Sequence, residues 1–319
     1  MTGNAWQPVA GPAVAKHRAG MLRRARDFFA ARSILEVDTS ILSRFAVTDP
    51  HTESLSARST LEAELYLQTS PEYKMKRLLA AGFGDIFQIC KVFRDGELGR
   101  NHLPEFTMVE WYRLDFTLQD IMRETIEFLA ESLGRSDLAA GAAFLSYHEA
   151  FESAVQLNPS SATIADLCAS AGADAALGNA IGDDRDAWLD LLLADKVAAK
   201  FPADRFTVLY HYPSSQAVLA RRCPADASVA DRFEVYFGSL ELANGFVELT
   251  DAGEQISRFE RDRSLRRDTG KTTHRIDREF IAALQAGLPP CAGVAVGFDR
   301  LLLVYTGETD LRAVTNFIY

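Results

Sequence analysis

The stretch FGSLELANGFVELTD, residues 237–251, sets Glu241, Asn244 and Glu248 among Leu242, Phe246 and Leu249, with Glu234 just upstream. The segment otherwise reads as strand, turn and strand, so carboxylates inside it call for a chemical reason. A second stretch, CKVFRDGELGRNHLPEFTMVEWYRLDF (90–116), alternates apolar residues up to Phe93, breaks into a polar loop with Arg94, Arg100 and His102, and resumes alternation from Phe106. That is the pattern of a long antiparallel hairpin. In its second strand Phe106, Glu110 and Tyr112 share parity, which puts an aromatic ring, a carboxylate and a phenol on one face. This is a cation pocket in outline, although a solvated edge hairpin has the same pattern. A third stretch, GVAVGFDRLLLVYTG (293–307), brackets a short apolar strand with Gly293 and Gly297 and places Arg300 in the first turn of a following helix. Glycines there let a ligand approach the backbone, and a helix N-terminus with an arginine favours an anion. A tightly packed strand-to-helix turn explains that stretch equally well.

These residues need a scaffold, and the chain is long enough to build one. Its 319 residues, 48% hydrophobic and 24% charged, suit a substantial core without staples. Cys90, Cys168, Cys223 and Cys291 are too widely spaced for a zinc knuckle or a redox pair and read as reduced thiols. The start of the chain lacks the order of a signal peptide, and no apolar run reaches the roughly 20 residues that cross a bilayer. A cytoplasmic protein that does not touch membranes is expected. The net charge of −10 argues against a broad footprint on nucleic acid, and the basic runs at 23–32 and 258–275 are interleaved with acids as on solvated helix faces.

The spacing predicts a helix over 14–32 with Leu22, Ala25, Phe28 and Phe29 on one face, then a strand over SILEVDTSIL (33–42). Helix followed by strand recurs at SPEYKMKRLLAAGF and DIFQICKVFR. The Ala- and Leu-rich region 118–203 reads as a helical insertion packed beside a sheet, after which strands return until the helix following Gly297. Without repeats or a long linker, a single α+β domain over 1–319 with a mixed or antiparallel sheet is the simplest organisation.

In order, the helix–strand DFFAARSILEVDTS, the "FR" hairpin closing in "PEF", and the glycine–strand–glycine–helix–arginine ending resemble motifs 1, 2 and 3 of class II aminoacyl-tRNA synthetases, here at about 21–42, 86–114 and 293–307. The wording TSPE, HLPEFTMVEWY and ELANGFVELTD is similar to the lysyl-tRNA synthetase catalytic domain, over roughly Lys16 to Tyr319. The motif 1 helix starts too early for that family's N-terminal anticodon-binding domain. The compact form resembles the elongation factor P lysine ligases, which activate a β-lysine with ATP and attach it to a lysine of elongation factor P.

The resemblance implies a six-stranded antiparallel sheet flanked by helices, a homodimer formed through motif 1, ATP and Mg²⁺ as cofactors, and no stable binding of nucleic acid. It also implies roles. Glu234 and Glu241 match the metal glutamates; a hairpin turning at Gly238 and Ser239 brings both toward one ion despite their odd spacing. Glu248 matches the partner of the substrate ε-ammonium, with Tyr112, Glu110 and Asn244 beside it, and Glu72, following Ser70 and Pro71, matches the holder of the amino group. Arg94 and Arg300 are the catalytic candidates, Arg94 gripping the α-phosphate. Arg100 and His102 fall to the outer phosphates, and Phe106 stacks the adenine against Arg300. The rest of the nucleotide set is Asp95, Gly96, Leu103, Glu241, Leu242 and Gly297.

The chain departs from the pattern at Ser40, where motif 1 usually ends in proline, at Gly96, where FRNE reads FRDG with Glu97 one residue late, and at Leu103, where relatives carry asparagine. Ala295 stands where lysyl-tRNA synthetases typically have the middle glycine of motif 3, adding a methyl on the face of Gly293 and Gly297 that either favours a β-lysine over α-lysine or merely fills a packing gap. An enzyme with another acceptor, tRNA or a small amine, and a non-catalytic lysine sensor are the alternatives.

Overall fold

The computed structural model describes residues 6–60 and 64–318; both ends of the expected domain 1–319, Tyr319 included, lie outside the described residues. The protein forms two compact units, the first of Met1–Phe116, Glu131–Leu133 and Thr250–Tyr319, the second of Thr117–Ala130 and Gly134–Leu249.

The first unit opens with the helix Pro12–Ala31, begun by a proline at its first position and burying Met21, Ala25, Phe28 and Phe29. Phe29 stacks on Phe87 at 4.1 Å between ring centroids and meets Trp111 edge-on at 5.3 Å, so the helix is seated on the strands Ile86–Phe93 and Glu105–Leu114. Those strands form the expected hairpin, with Gln88 opposite Glu110 and Ile86 opposite Tyr112. Cys291–Gly297 adds antiparallel to the second of them, with Ala295 opposite Glu110, and runs into the helix Phe298–Thr306.

The strand expected over 33–42 is cut short. Ser33 takes a left-handed φ of 56°, and only Leu35–Glu36 joins the sheet, parallel to Ile86–Phe87. Leu42–Ser43 instead pairs with Leu65–Leu67 in a small second sheet completed by Ser56–Ala57. Polar Asp38, Thr39 and Ser40 separate the two pieces.

In the second unit Phe206–Tyr210, Arg232–Phe237 and Leu240–Val247 run antiparallel in sequence, the last two joined at Gly238, whose φ of 57° suits a tight hairpin turn. The stretch 118–203 is helical at Leu118–Leu133, Tyr147–Val155, Ile164–Ala171, Ala175–Ile181 and Arg185–Leu192. It also supplies the strand Ala143–Ser146, parallel to Phe206–Tyr210. Tyr147, Phe151, Trp188, Leu189, Leu192 and Val197 are the buried centre of this unit.

The sheet therefore has eight strands and is mixed, which corrects the expectation of six antiparallel ones. Both parallel pairings come from short edge strands reached by long connections containing helices, as parallel neighbours require. Strands of two and four residues carry too little alternation to be read in advance.

Phe29→Ala removes a fully buried ring that touches both hairpin strands, and is expected to destabilise the protein by about 3–5 kcal/mol. Urea unfolding followed by tryptophan fluorescence checks it; a loss below about 1 kcal/mol is incompatible with this seating.

Candidate active site

In the first unit, Glu110 is 3% exposed and accepts hydrogen bonds from the Tyr112 hydroxyl at 2.6 Å and the Ser70 hydroxyl at 2.8 Å. The shared parity of 110 and 112 thus brings carboxylate and phenol together as expected. Ser70 also accepts from the Glu72 backbone N–H at 3.0 Å, so the turn before the helix Glu72–Ala80 is held to the same carboxylate. Glu72 is ion-paired one turn along with Lys76, whose side chain is 1% exposed. Sequence reasoning missed this lysine; the i, i+4 spacing was the available signal. Burial, then the charge of Glu72, raises the Glu110 carboxyl to about 7, against the hydrogen bonds from Tyr112 and Ser70 and the charge of Lys76.

The loop of the hairpin holds the basic residues. The Arg94 guanidinium lies over the Phe106 ring at 5.2 Å and 3.8 Å from Glu97, so the glutamate that arrives one residue late still reaches this arginine. Gly96 has a φ of 78°, which explains glycine there: the turn enters the left-handed region that a glutamate adopts poorly. Leu103 is buried, and Asp95 donates its backbone N–H to the Glu53 carbonyl at 2.9 Å. Arg300 donates to His102 Nε2 at 2.7 Å and to the Asn101 carbonyl at 3.1 Å. A guanidinium only donates, so that ring nitrogen is the acceptor and His102 carries its proton on Nδ1. Arg100 reaches the Thr309 carbonyl at 3.4 Å. Phe106 therefore faces Arg94 here, and Arg300 faces His102. Gly297 starts the last helix with an ordinary φ of −71°; a side chain there would first meet the stem of Arg300, at 3.5 Å.

Asp299, beside Arg300, is a second residue that sequence reasoning passed over. Its buried carboxylate accepts from the Thr107 backbone N–H at 2.7 Å and from the Arg18 guanidinium, which also donates to the Thr107 hydroxyl at 2.5 Å.

The second unit carries the other carboxylates. The turn at Gly238 sets Glu241 opposite Tyr236, and a bulge between Glu241 and Ala243 then sets Asn244 opposite Glu234. Regular alternation would send 241 and 244 to opposite faces; the extra residue gathers Glu234, Glu241 and Asn244 on one. Glu234 is buried, and four side chains donate to it: Arg232 at 2.6 Å, Tyr212 at 2.5 Å, Tyr236, and the Asn244 amide at 3.3 Å. Burial and then the charge of Glu241 raise its carboxyl pKa, while Arg232 and the two phenols oppose the rise. Arg232, Tyr212 and Tyr236 had no signal in the sequence beyond their residue types. The donor set suits a hard dication, which would relieve the repulsion between Glu234 and Glu241. At Glu234 such an ion would take the place of a present donor, of which the Asn244 amide is the longest. Leu242 is buried, and Glu248, also buried, lies in an isolated bridge with Ala220.

Residues 12–318, spanning both units, match the model of the tRNA synthetases of class II (D, K and N), and the protein belongs to that family. Within it, the chain is similar to proteins named elongation factor P–(R)-β-lysine ligase. It is 45% identical over 318 residues to the one from Mannheimia succiniciproducens, covering 98% of this chain and 97% of that protein. It is 43% identical over 322 residues to the one from Avibacterium paragallinarum, and 44% over 326 residues to the one from Pseudoalteromonas translucida, each covering 99% of this chain and 98% of the relative.

A carboxyl raised by folding holds its proton more tightly in the native state, so the stability that Glu110 contributes is fully present below about 4.5 and is lost as the pH rises through about 7. Glu110→Gln cannot ionise. The stability of the natural protein relative to this variant is expected to fall between pH 4.5 and 7 and to level off above; a pH-independent difference in urea unfolding would refute it.

Proposed function

We infer that the protein is an ATP-dependent ligase that activates (R)-β-lysine as its adenylate and transfers it to a lysine side chain of elongation factor P. The observation that carries this reading is similarity of 43–45% over nearly the whole length of both this chain and ligases named for that reaction. The substrate carboxylate attacks the α-phosphorus and pyrophosphate leaves. The neutral amine of the acceptor lysine then attacks the adenylate carbonyl, AMP leaves, and an amide remains.

In the first unit, Arg94 steadies the α-phosphate through its forked guanidinium, supported by its position over Phe106. Phe106 and Leu103 take the base, with Asp95, Gly96 and Gly297 shaping the backbone around the nucleotide; Arg100, His102 and Arg300 take the phosphates. The buried carboxylate of Glu110, backed by Tyr112 and Ser70, supports a role in holding a substrate ammonium, with Pro71 and Glu72 beside it. In the second unit, Glu241 and Glu234 hold Mg²⁺, which neutralises triphosphate charge when bound; Leu242 supports Glu241, and Asn244 and Glu248 serve the substrate. Positioning and charge stabilisation supply the acceleration, with no side-chain nucleophile.

Half-exposed Leu35 and Leu42, with exposed Ile41, lie in the motif 1 segment and support a homodimer formed through it. All four cysteines are free thiols, which supports a reducing, cytoplasmic setting. No helix among the described residues is long and apolar enough to cross a membrane. The net charge of −10 disfavours stable nucleic-acid binding.

Purified protein is expected to catalyse (R)-β-lysine-dependent exchange of pyrophosphate into ATP and to modify elongation factor P far faster than tRNA. Arg94→Ala is expected to lower exchange by about 10²-fold or more. Equal rates on tRNA and on elongation factor P would overturn the acceptor, and unaltered exchange in the variant would overturn the arginine's role.

Ala295 sits directly across the ladder from Glu110, which supports its methyl as the selector between lysine isomers. Ala295→Gly is expected to raise kcat/KM for α-lysine relative to (R)-β-lysine by roughly 10-fold or more. An unchanged ratio would show that the methyl only fills space.

A further inference from the structure

We propose that His211, Cys223 and Asp231 of the second unit form a transition-metal site, built for Zn²⁺, that clasps the connection between the strands Phe206–Tyr210 and Arg232–Phe237. The imidazole nitrogen, the thiol sulfur and a carboxylate oxygen all lie within 4.8 Å of one another. A tetrahedral ion with bonds of about 2.0–2.3 Å sets its donors roughly 3.3–3.8 Å apart. His211 Nε2 and Asp231 Oδ1 are already 3.7 Å apart, so the sulfur needs only a small side-chain adjustment to complete three corners.

The three ligands are held before any metal arrives. His211 donates its backbone N–H to the Arg232 carbonyl at 3.0 Å, Cys223 to Val229 at 2.9 Å, and Asp231 to Arg221 at 3.0 Å. Arg221 Nε donates to Asp231 Oδ2 at 2.8 Å, which leaves Oδ1 on the side of His211. A ligating carboxylate anchored through its other oxygen is the usual support of a metal site. His211 also holds a left-handed φ of 58°, a conformation that a non-glycine residue keeps only where its surroundings impose it.

The chemistry selects the ion. A thiolate and an imidazole beside one carboxylate suit a borderline-soft dication and are poor ligands for Mg²⁺. Thiolate and carboxylate together balance a charge of two, with the Arg221 guanidinium on the outer oxygen. Cys223 and Asp231 are 8% and 4% exposed, whereas the His211 side chain is 34% exposed, so the imidazole is the entry side and a fourth position stays open to water. The clasped connection includes Tyr212, one of the donors to Glu234.

The test uses the full-length protein, stripped of metal, incubated with Zn²⁺ and desalted, then titrated separately with Co²⁺. Stoichiometric Zn²⁺ by mass spectrometry and a sulfur-to-cobalt charge-transfer band in the near ultraviolet are expected. Cys223→Ser is expected to lose that band, and His211→Gln to bind Zn²⁺ at least about 10-fold more weakly. Should Cys223→Ser fail to fold by circular dichroism, the partly exposed His211→Gln decides alone. A natural protein that retains no Zn²⁺, a cobalt spectrum without the sulfur band, or unaltered affinity in His211→Gln would each overturn the site. Because neither variant touches the carboxylates assigned to Mg²⁺, these outcomes leave the ligase reading to its own experiment.

Discussion

The first unit depends on one buried carboxylate. Asp299 gathers the backbone of Thr107 and the guanidinium of Arg18, so the opening helix, the second strand of the hairpin and the last helix meet at a single charge. Phe106 and Arg300 are the neighbours of Thr107 and Asp299, and their placement follows from that junction. The charge is tolerable in the interior because it is paired and hydrogen-bonded; without Arg18 it would be an uncompensated anion. Asp299 thereby sets the register in which Phe106 and Arg300 are presented.

The two carboxylate clusters meet the same difficulty in different ways. Glu110 is met by two hydroxyls and the charge of Lys76, and burial, then the charge of Glu72, still raises its carboxyl to about 7. Glu234 is closed in by a guanidinium, two phenols and an amide, yet burial and then the neighbouring Glu241 keep its carboxyl above the ordinary range. In each cluster burial and a neighbouring carboxylate raise the proton affinity of the central carboxyl.

The hairpin over 86–114 was legible because long strands repeat their alternation, and the pairing of Glu110 with Tyr112 followed from parity alone. The strand and helix around Gly297 were legible from the glycines that bracket a short apolar run. Other features depend on partners far along the chain. The bulge at Leu242 is a cross-strand event with no mark in a single strand, although it brings Asn244 onto the face that Glu234 and Glu241 share. The parallel edges Leu35–Glu36 and Ala143–Ser146 were too short to announce a direction. Asp299 looked like one more acid at a helix start, and the donors around Glu234 lie as far away as Tyr212.

Lys76 gives the cluster of Glu72 and Glu110 a resident cation. With Glu110 ionised, the cluster counts two negative charges against one positive, a deficit of a single unit. One added positive charge would balance it, whereas a neutral neighbour would leave a buried anion uncompensated. The helix Glu72–Ala80 thus carries both an acid and a base of this charge balance.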